Sequence, residues 1–254
     1  MKITFLGTGT SQGIPIIGSK HPVCHSDDPR DKRLRVSIML ETEQGTYVVD
    51  CGPDFRQQML AQNVKQLDAI LFTHEHADHT AGLDDIRPFF FKQGDIPIYA
   101  HRRVLGELER RFTYIFETEN KYPGAPGVKV HEVINNETFK INTLEVIPIN
   151  VYHAKLQVFG YRFENFAYLT DVKTIDQKER DKLKNLDVLV VNALREKPHY
   201  SHFNLEEALD FIEEIKPKKA YFTHISHLLG FHEEVENNLP EHVHLAYDGL
   251  SIEV

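Results

Sequence analysis

Thr73-His74-Glu75-His76-Ala77-Asp78-His79 sets three imidazoles and the Asp78 carboxylate inside one short peptide. The apolar residues up to Phe72 precede it, so the group emerges where a strand ends. Side chains at 74, 76 and 78 alternate along an extended backbone, and a turn beginning at Asp78 diverts Asp78 and His79 toward a second point. One peptide can then serve two adjacent metal ions. Imidazole and carboxylate without thiolate suit Zn²⁺, Mn²⁺ or Fe²⁺ and differ from structural zinc sites, which are usually Cys-rich. The chain holds 15 histidines, more than surface chemistry calls for, which points to ligands or proton carriers.

Such a cluster needs a rigid frame. Apolar runs bounded by turn residues predict strands at 3–6, 36–40, 47–49, 69–72 and 96–99, and again at 143–149, 157–163, 166–169, 188–191 and 220–222. Helices are expected at 54–62, with Asp54 as cap, at 175–184 and at 205–215, with a short helix or turn from His79 onward. Strand meanders mixed with peripheral helices in both halves argue for two sheets packed face to face with helices outside. Residues 1–254 read as one domain, without repeats or low-complexity linkers. The irregular stretch 114–128, including Asn120-Lys121-Tyr122-Pro123, is expected to be a loop whose aromatic residues either cover the site or pack on the body, the second being slightly favoured.

Composition narrows the partners. A net charge of −9 opposes attraction to polyanions, and the basic patches at 30–35 and 102–111 are interleaved with acids, so long nucleic acids are disfavoured. No segment reaches the roughly 18 apolar residues of a membrane span. The N-terminus runs straight into a strand-like segment, so a cytoplasmic location is the expectation. Cys24 and Cys51 are expected to be free thiols, since a core of this size needs no lone bridge.

His-x-His-x-Asp-His after a strand resembles the signature of the metallo-β-lactamase-fold hydrolases. The resemblance implies an α/β fold of the α+β type, a four-layer αββα sandwich, and supplies further ligands in order along the chain. By that resemblance His153 joins His74 and His76 at a first metal, His224 joins Asp78 and His79 at a second, and Asp171 bridges the two. Asp78 is counted with the catalytic groups as well as the ligands. Two divalent ions with Asp78, Asp171 and a bridging hydroxide leave a net positive site, which a phosphodiester monoanion would neutralise. A carbonyl could be attacked by the same site.

The opening Phe5-Leu6-Gly7-Thr8-Gly9-Thr10-Ser11-Gln12-Gly13-Ile14-Pro15 resembles the branch of tRNA 3′-processing endonucleases and PhnP-type cyclic phosphodiesterases. In the PhnP-like pattern, three Cys and a His beyond the last catalytic His hold a structural zinc. Here the matching positions are Ser19, His21, Cys24 and His227, with His25 a substitute for the poor ligand Ser19, so a third, structural zinc and a metal-free loop both stay open. His202, just before the 205–215 helix, matches a His that faces the scissile phosphate, with His199 a weaker alternative. Asp50 matches a residue that orients the metal-binding loop. For Arg87 an ordinary salt bridge within its acidic stretch outweighs a phosphate contact.

The resulting expectation is a hydrolase of a small phosphodiester, cyclic or acyclic, with two divalent ions, a metal-bridging hydroxide as nucleophile and His202 as acid. A tRNA-processing endonuclease comes second, because no long basic or Gly-rich insertion could form an RNA-gripping arm. Thioester or lactam hydrolysis stays open on fold grounds, as does a homodimer. A non-enzymatic metal-binding module fits a set of seven ligands poorly.

Overall fold

The computed structural model of the chain describes residues 1–119 and 121–254. Strands β1 (Lys2–Gly7), β2 (Ser37–Thr42), β3 (Gly45–Val49), β4 (Ala69–Leu71), β5 (Ile96–Ala100) and β6 (Val128–Glu132) lie side by side in chain order. The late strand β15 (Ser251–Glu253) completes that sheet by pairing antiparallel with β1. The second sheet is built from β7 (Phe139–Ile141), β8 (Leu144–His153), β9 (Leu156–Phe163), β10 (Phe166–Tyr168), β11 (Thr174–Ile175), β12 (Val188–Asn192), β13 (Lys219–Thr223) and β14 (Val243–Leu245). Its order is β11-β8-β9-β10-β12-β13-β14, with β7 beside β8.

Helices cover the outside: α1 (Phe55–Ala61), α2 (Ala77–Thr80), α3 (Arg87–Gln93), α4 (Arg102–Arg111) and α5 (Thr113–Phe116) come from the first half. From the second half come α6 (Gln177–Arg180), α7 (Leu205–Ile215) and α8 (His232–Glu236).

Period-two side-chain alternation decides the layering. Tyr47, Val49, Ala69 and Leu71 face the second sheet, whereas Val48, Ile70 and Phe72 pack beneath α1, α3 and α4. In the other sheet Val188 and Val190 face inward while Leu189 and Val191 meet Phe211 and Ile212 of α7. Both faces of each sheet are therefore covered, which explains the nearly unbroken apolar runs of β3, β4 and β12. The result is the αββα sandwich.

α7 covers the expected residues because Asn204 and Glu207 form a reciprocal capping box, at 3.1 and 3.0 Å. The expected helix at 175–184 is broken. Thr174 and Ile175 pair with β8 instead, α6 has a single turn, and a 3₁₀ turn (Asp181–Leu183) follows. The cause is Glu179, fully buried, which accepts from the Asn150 backbone N–H at 2.9 Å and from Lys182 at 2.6 Å, fixing the turn onto β8. Asp54 precedes α1 but caps nothing within it; its carboxylate accepts from the Arg35 backbone N–H at 2.8 Å.

The segment after α4 begins with α5 and continues as an irregular loop, and Asn120 within it lies outside the described residues. Tyr114 and Phe116 pack on the body, Tyr114 donating to Asp84 at 2.8 Å, whereas Tyr122, its ring 5.8 Å from that of Tyr114, stays half exposed. Cys24 and Cys51 are buried free thiols. Among the described residues, no helix is long and apolar enough to cross a membrane.

Candidate metal centre

The polar residues singled out above lie at the carboxyl ends of strands. Asp50 follows β3, Thr73 and His74 follow β4, His153 ends β8, Asp171 follows β10 and His224 follows β13. β3 and β4 are parallel, as are β10, β12 and β13, so each sheet delivers its ends to one edge, where α/β folds collect ligands. The two edges are tied together by Tyr161 Oη donating to Phe72 O at 2.7 Å, Phe159 N to Thr73 O at 3.0 Å and Ile225 N to Thr8 O at 2.8 Å. Asp50, Asp171 and His224 leave their strands in the left-handed region, with φ of 67°, 58° and 52°. That conformation costs a non-glycine residue about 1–3 kcal/mol and recurs at functional sites.

Hydrogen bonds around the imidazoles decide which nitrogens face the cleft. Thr73 Oγ1 lies 2.9 Å from Asp50 Oδ2, an acceptor, so the hydroxyl donates there and accepts from His74 Nδ1 at 3.0 Å. The lone pair of His74 Nε2 is then left pointing at His76 Nδ1, 2.9 Å away. Asp50 Oδ2 likewise accepts from His79 Nδ1 at 2.7 Å, and Ser201 O accepts from His153 Nδ1 at 2.8 Å, turning both Nε2 atoms toward the cleft. Partners of this kind orient ligating histidines in metalloproteins.

His79 Nε2 lies 3.3 Å from both Asp78 Oδ2 and Asp171 Oδ2, and His224 Nε2 lies 3.8 Å from Asp78 and 3.5 Å from Asp171. These separations exceed the usual N–H···O range. They suit donors that share an ion, since ligands at about 2.1 Å in tetrahedral geometry sit roughly 3.4 Å apart. His79 Nε2, His202 Nδ1 and both ring nitrogens of His224 are buried without a hydrogen-bond partner. The donors thus fit divalent cations. Among the described residues, the trios with all donor atoms within 4.8 Å are His74, His79 and Asp171; Asp78, His79 and His224; and His153, Asp171 and His202. His76 joins them through His74 and lies 5.3 Å, ring to ring, from His153.

Burial opposes charge at Asp78 and Asp171, yet the surrounding histidines outweigh it and hold both carboxyls below their ordinary range. His79 is pushed the other way. Burial lowers it, but Asp78, Asp50 and Asp171 together hold its imidazolium well above the usual value, so a bound cation would take the place of that proton. Burial keeps His74 neutral and pushes His202 down to about 2.

His202 is 3.7 Å from Asp171 Oδ1, with ring contacts to His153 at 4.3 Å and His224 at 4.9 Å, so it stands inside the cleft. His199 stands further out, 5.2 Å from the His202 ring and beside exposed Tyr200. Arg87 pairs with Asp84 at 2.5 Å and with Gly124 O, the ordinary salt bridge expected for it.

Three residues beyond His224, the His227 ring lies 4.8 Å from that of His21, each with a buried and unpartnered Nδ1. Cys24 belongs to an apolar cluster with Ile14 and Val23, and the three residues do not form a close donor trio. His25 Nε2 lies 2.9 Å from Ser19 O.

Sequence reading missed the outer supports of the 74–79 loop. Arg111 reaches Glu75 O and Thr80 Oγ1, the latter at 3.1 Å, and Thr80 Oγ1 donates to His76 O at 2.8 Å. Arg103 joins Glu75 to Gln157 O, the second contact at 2.6 Å. Charge-rich spacing gave no signal for this, because the partners lie far along the chain. Replacing Arg111 with Met should weaken metal binding by about tenfold, the low end of what outer partners contribute, in a chelator competition titration. Unchanged affinity would show that Arg111 carries no part of the loop's order.

Glycine is required inside this loop's packing. A Cβ on Gly52 would stand 2.1 Å from Asp78 O, and one on Gly82 equally close to Gly52 O. Gly52→Ala must therefore displace the Asp78 peptide, and urea unfolding should show a loss of about 1–3 kcal/mol, typical of overpacking. A wild-type midpoint would contradict this contact.

Residues 46–225 match the β-lactamase superfamily domain. The structure of a new diphosphatase from the PhnP family is 40% identical and superposes with a TM-score of 0.93, covering 100% of this chain and 97% of that one. A Porphyromonas gingivalis protein named octanoyltransferase is 40% identical over 252 residues, 98% of this chain and 51% of that protein. Ribonuclease Z of Bacillus subtilis is 25% identical over 169 residues, 65% of this chain and 49% of the enzyme. The chain spans about half the length of these two relatives.

Proposed function

The chain belongs to the β-lactamase superfamily, as a metallo-β-lactamase-fold hydrolase of the PhnP-like branch, and from that premise we propose that it is a dinuclear metal-dependent phosphodiesterase acting on a small substrate. The observation that supports the reading is the run of three overlapping donor trios, linked through His79 and Asp171, with ring nitrogens of His79, His202 and His224 buried and unpartnered among them. His74, His76 and His153 would hold one ion and Asp78, His79 and His224 the other, with Asp171 between; oxygen and nitrogen donors suit Zn²⁺, Mn²⁺ or Fe²⁺. Ions so placed supply an acidified water and offset charge growing on phosphorus.

The protein's own groups do the rest. Asp50, Thr73 and Ser201 O fix the imidazole orientations, and Asp171 holds negative charge at the centre. Hydrolysis adds water across one P–O bond, and the departing oxygen must gain a proton. His202 stands inside the cleft among the donors and is left over once the seven proposed ligands are assigned, which makes it the candidate to deliver that proton. The net charge of −9 favours a small substrate over a polyanion. The diphosphatase relative brings P–O–P linkages into the same range. The octanoyltransferase name belongs to a protein about twice as long, and both cysteines here lie in apolar clusters, so no acyl-accepting thiol faces the cleft.

The test is a substrate panel with metal-loaded protein: bis(4-nitrophenyl) phosphate, cyclic nucleotides, a thioester and a tRNA precursor. Metal-dependent turnover of the phosphodiesters, abolished by a chelator, is expected. Hydrolysis of the thioester or the tRNA precursor with no turnover of any small phosphodiester would overturn the reading.

A further inference from the structure

Three histidines at the metal centre owe their ring orientation to an outer hydrogen bond on Nδ1: His74 to Thr73, His79 to Asp50 and His153 to the Ser201 carbonyl. His224 has none, since both of its ring nitrogens are buried without a partner. Its Nε2 nevertheless stands 3.5 Å from Asp171 and 3.8 Å from Asp78. It also leaves β13 in the left-handed region, at φ 52°, a conformation that persists only where the surroundings impose it. Something other than a bond to the ring must set this side chain.

Backbone contacts on either side of His224 supply the constraint. Ile225 N donates to Thr8 O at 2.8 Å, and Ala246 N donates to Phe222 O at 3.0 Å. Thr8 and Ala246 come from opposite ends of the chain, and one guanidinium joins them: Arg33 Nη1 donates to Thr8 Oγ1 at 2.7 Å and to Ala246 O at 2.6 Å. Arg33 Nη2 lies 3.1 Å from His232 Nδ1, which accepts because a guanidinium can only donate. Thr8 Oγ1 passes the contact on, donating to Asp248 Oδ1 at 2.8 Å, while Asp248 Oδ2 accepts from Leu34 N at 2.6 Å. Asp31 fixes the far side by accepting from His232 N at 2.7 Å. Burial lowers Arg33 only to about 10 and pushes His232 down to about 4, so the cation and its neutral acceptor both persist at neutral pH. Arg33 is 3% exposed. A cation buried this deeply commonly stabilises a fold no better than apolar packing of the same volume, and its best-attested use is to impose one arrangement.

We propose that Arg33, with Thr8 and Asp248, is the positioning unit for His224, and that it holds this metal ligand through its backbone in place of a hydrogen bond to its ring. Arg33 acts only through Thr8 and Ala246, whose backbones grip Ile225 and Phe222 on the two sides of the ligand. It therefore supports the ion proposed for Asp78, His79 and His224 and not the one proposed for His74, His76 and His153. The inference rests on the ligand assignment within the phosphodiesterase reading.

The test is Zn²⁺ binding to the full chain, read by competition with a chromophoric chelator, in the wild type, Arg33→Met, His224→Ala and the double variant, with circular dichroism to confirm folding. Arg33→Met should weaken one of the two ions by about 10- to 100-fold, the range for loss of an outer partner, and leave the other at its wild-type affinity. In the double variant Arg33→Met should add no loss to that of His224→Ala, because both changes act on one ligand. A merely structural role would weaken both ions alike and would add in full to His224→Ala. Should Arg33→Met not fold, Thr8→Val carries the test: it keeps the carbonyl that meets Ile225, removes the hydroxyl between Arg33 and Asp248, and should weaken the same single ion by about 2- to 10-fold. Equal weakening of both ions, no weakening, or full additivity with His224→Ala would overturn the positioning role while leaving the ligand assignment intact. If His224→Ala itself binds both ions as the wild type does, the ligand assignment falls and the positioning role with it.

Discussion

Asp171→Ala is expected to bring the metal content of the purified protein from about two ions per chain to one or fewer, and to lower kcat/KM on phosphodiesters by more than about 10²-fold, beyond the range for loss of an outer partner. Asp171 is fully buried, fixed by Thr170 Oγ1 at 2.7 Å, and its two oxygens face different histidines, Oδ2 toward His79 and Oδ1 toward His224 and His202. Removing it would take away the carboxylate proposed to serve both ions, and leave His79 and His224 without one of their compensating charges. The substitution also replaces an αL aspartate with alanine, which tolerates that backbone less well, so Asp171→Asn is the control that keeps the shape and removes the charge. Metal analysis by inductively coupled plasma, with circular dichroism to confirm folding, decides the matter. A folded Asp171→Ala protein that retains both ions and full turnover would refute the ligand assignment.

What the sequence made legible follows from how local each signal is. The 74–79 motif could be read because its donors share one peptide and its strand carries its own apolar pattern. α7 could be read because Asn204 and Glu207 announce its start within four residues. α4 was hidden: Val104, Leu105 and Leu108 form a buried stripe, but the arginines at its two ends read as a charged patch. The 175–184 segment failed for the opposite reason, since its helical composition gives way to one tertiary contact, Glu179 on the backbone of β8. The left-handed turns at Asp50, Asp171 and His224 are set by the junction of two sheets and carry no local mark.

His202→Ala should leave the metal content unchanged while slowing phosphodiester hydrolysis, because its ring lies beside Asp171, His153 and His224 but is not among the seven ligands proposed. General acid catalysis contributes about 10² to 10⁴-fold, and the loss should approach that range for an alkyl or ribosyl ester, whose leaving alkoxide cannot depart unprotonated. A nitrophenyl ester leaves readily as the phenolate and should lose much less. In the free protein burial pushes His202 down to about 2, so it enters the reaction neutral unless the substrate changes its surroundings. An anionic phosphate brought against the ring does that, since a nearby negative charge favours the imidazolium, and the proton then sits beside the oxygen that must receive it. The comparison of leaving groups therefore separates two roles for one residue: a larger loss on the alkyl ester marks proton delivery, and equal losses mark stabilisation of charge on the phosphate. Wild-type rates on both esters, with two metals bound, would reduce His202 to a residue at the entrance of α7.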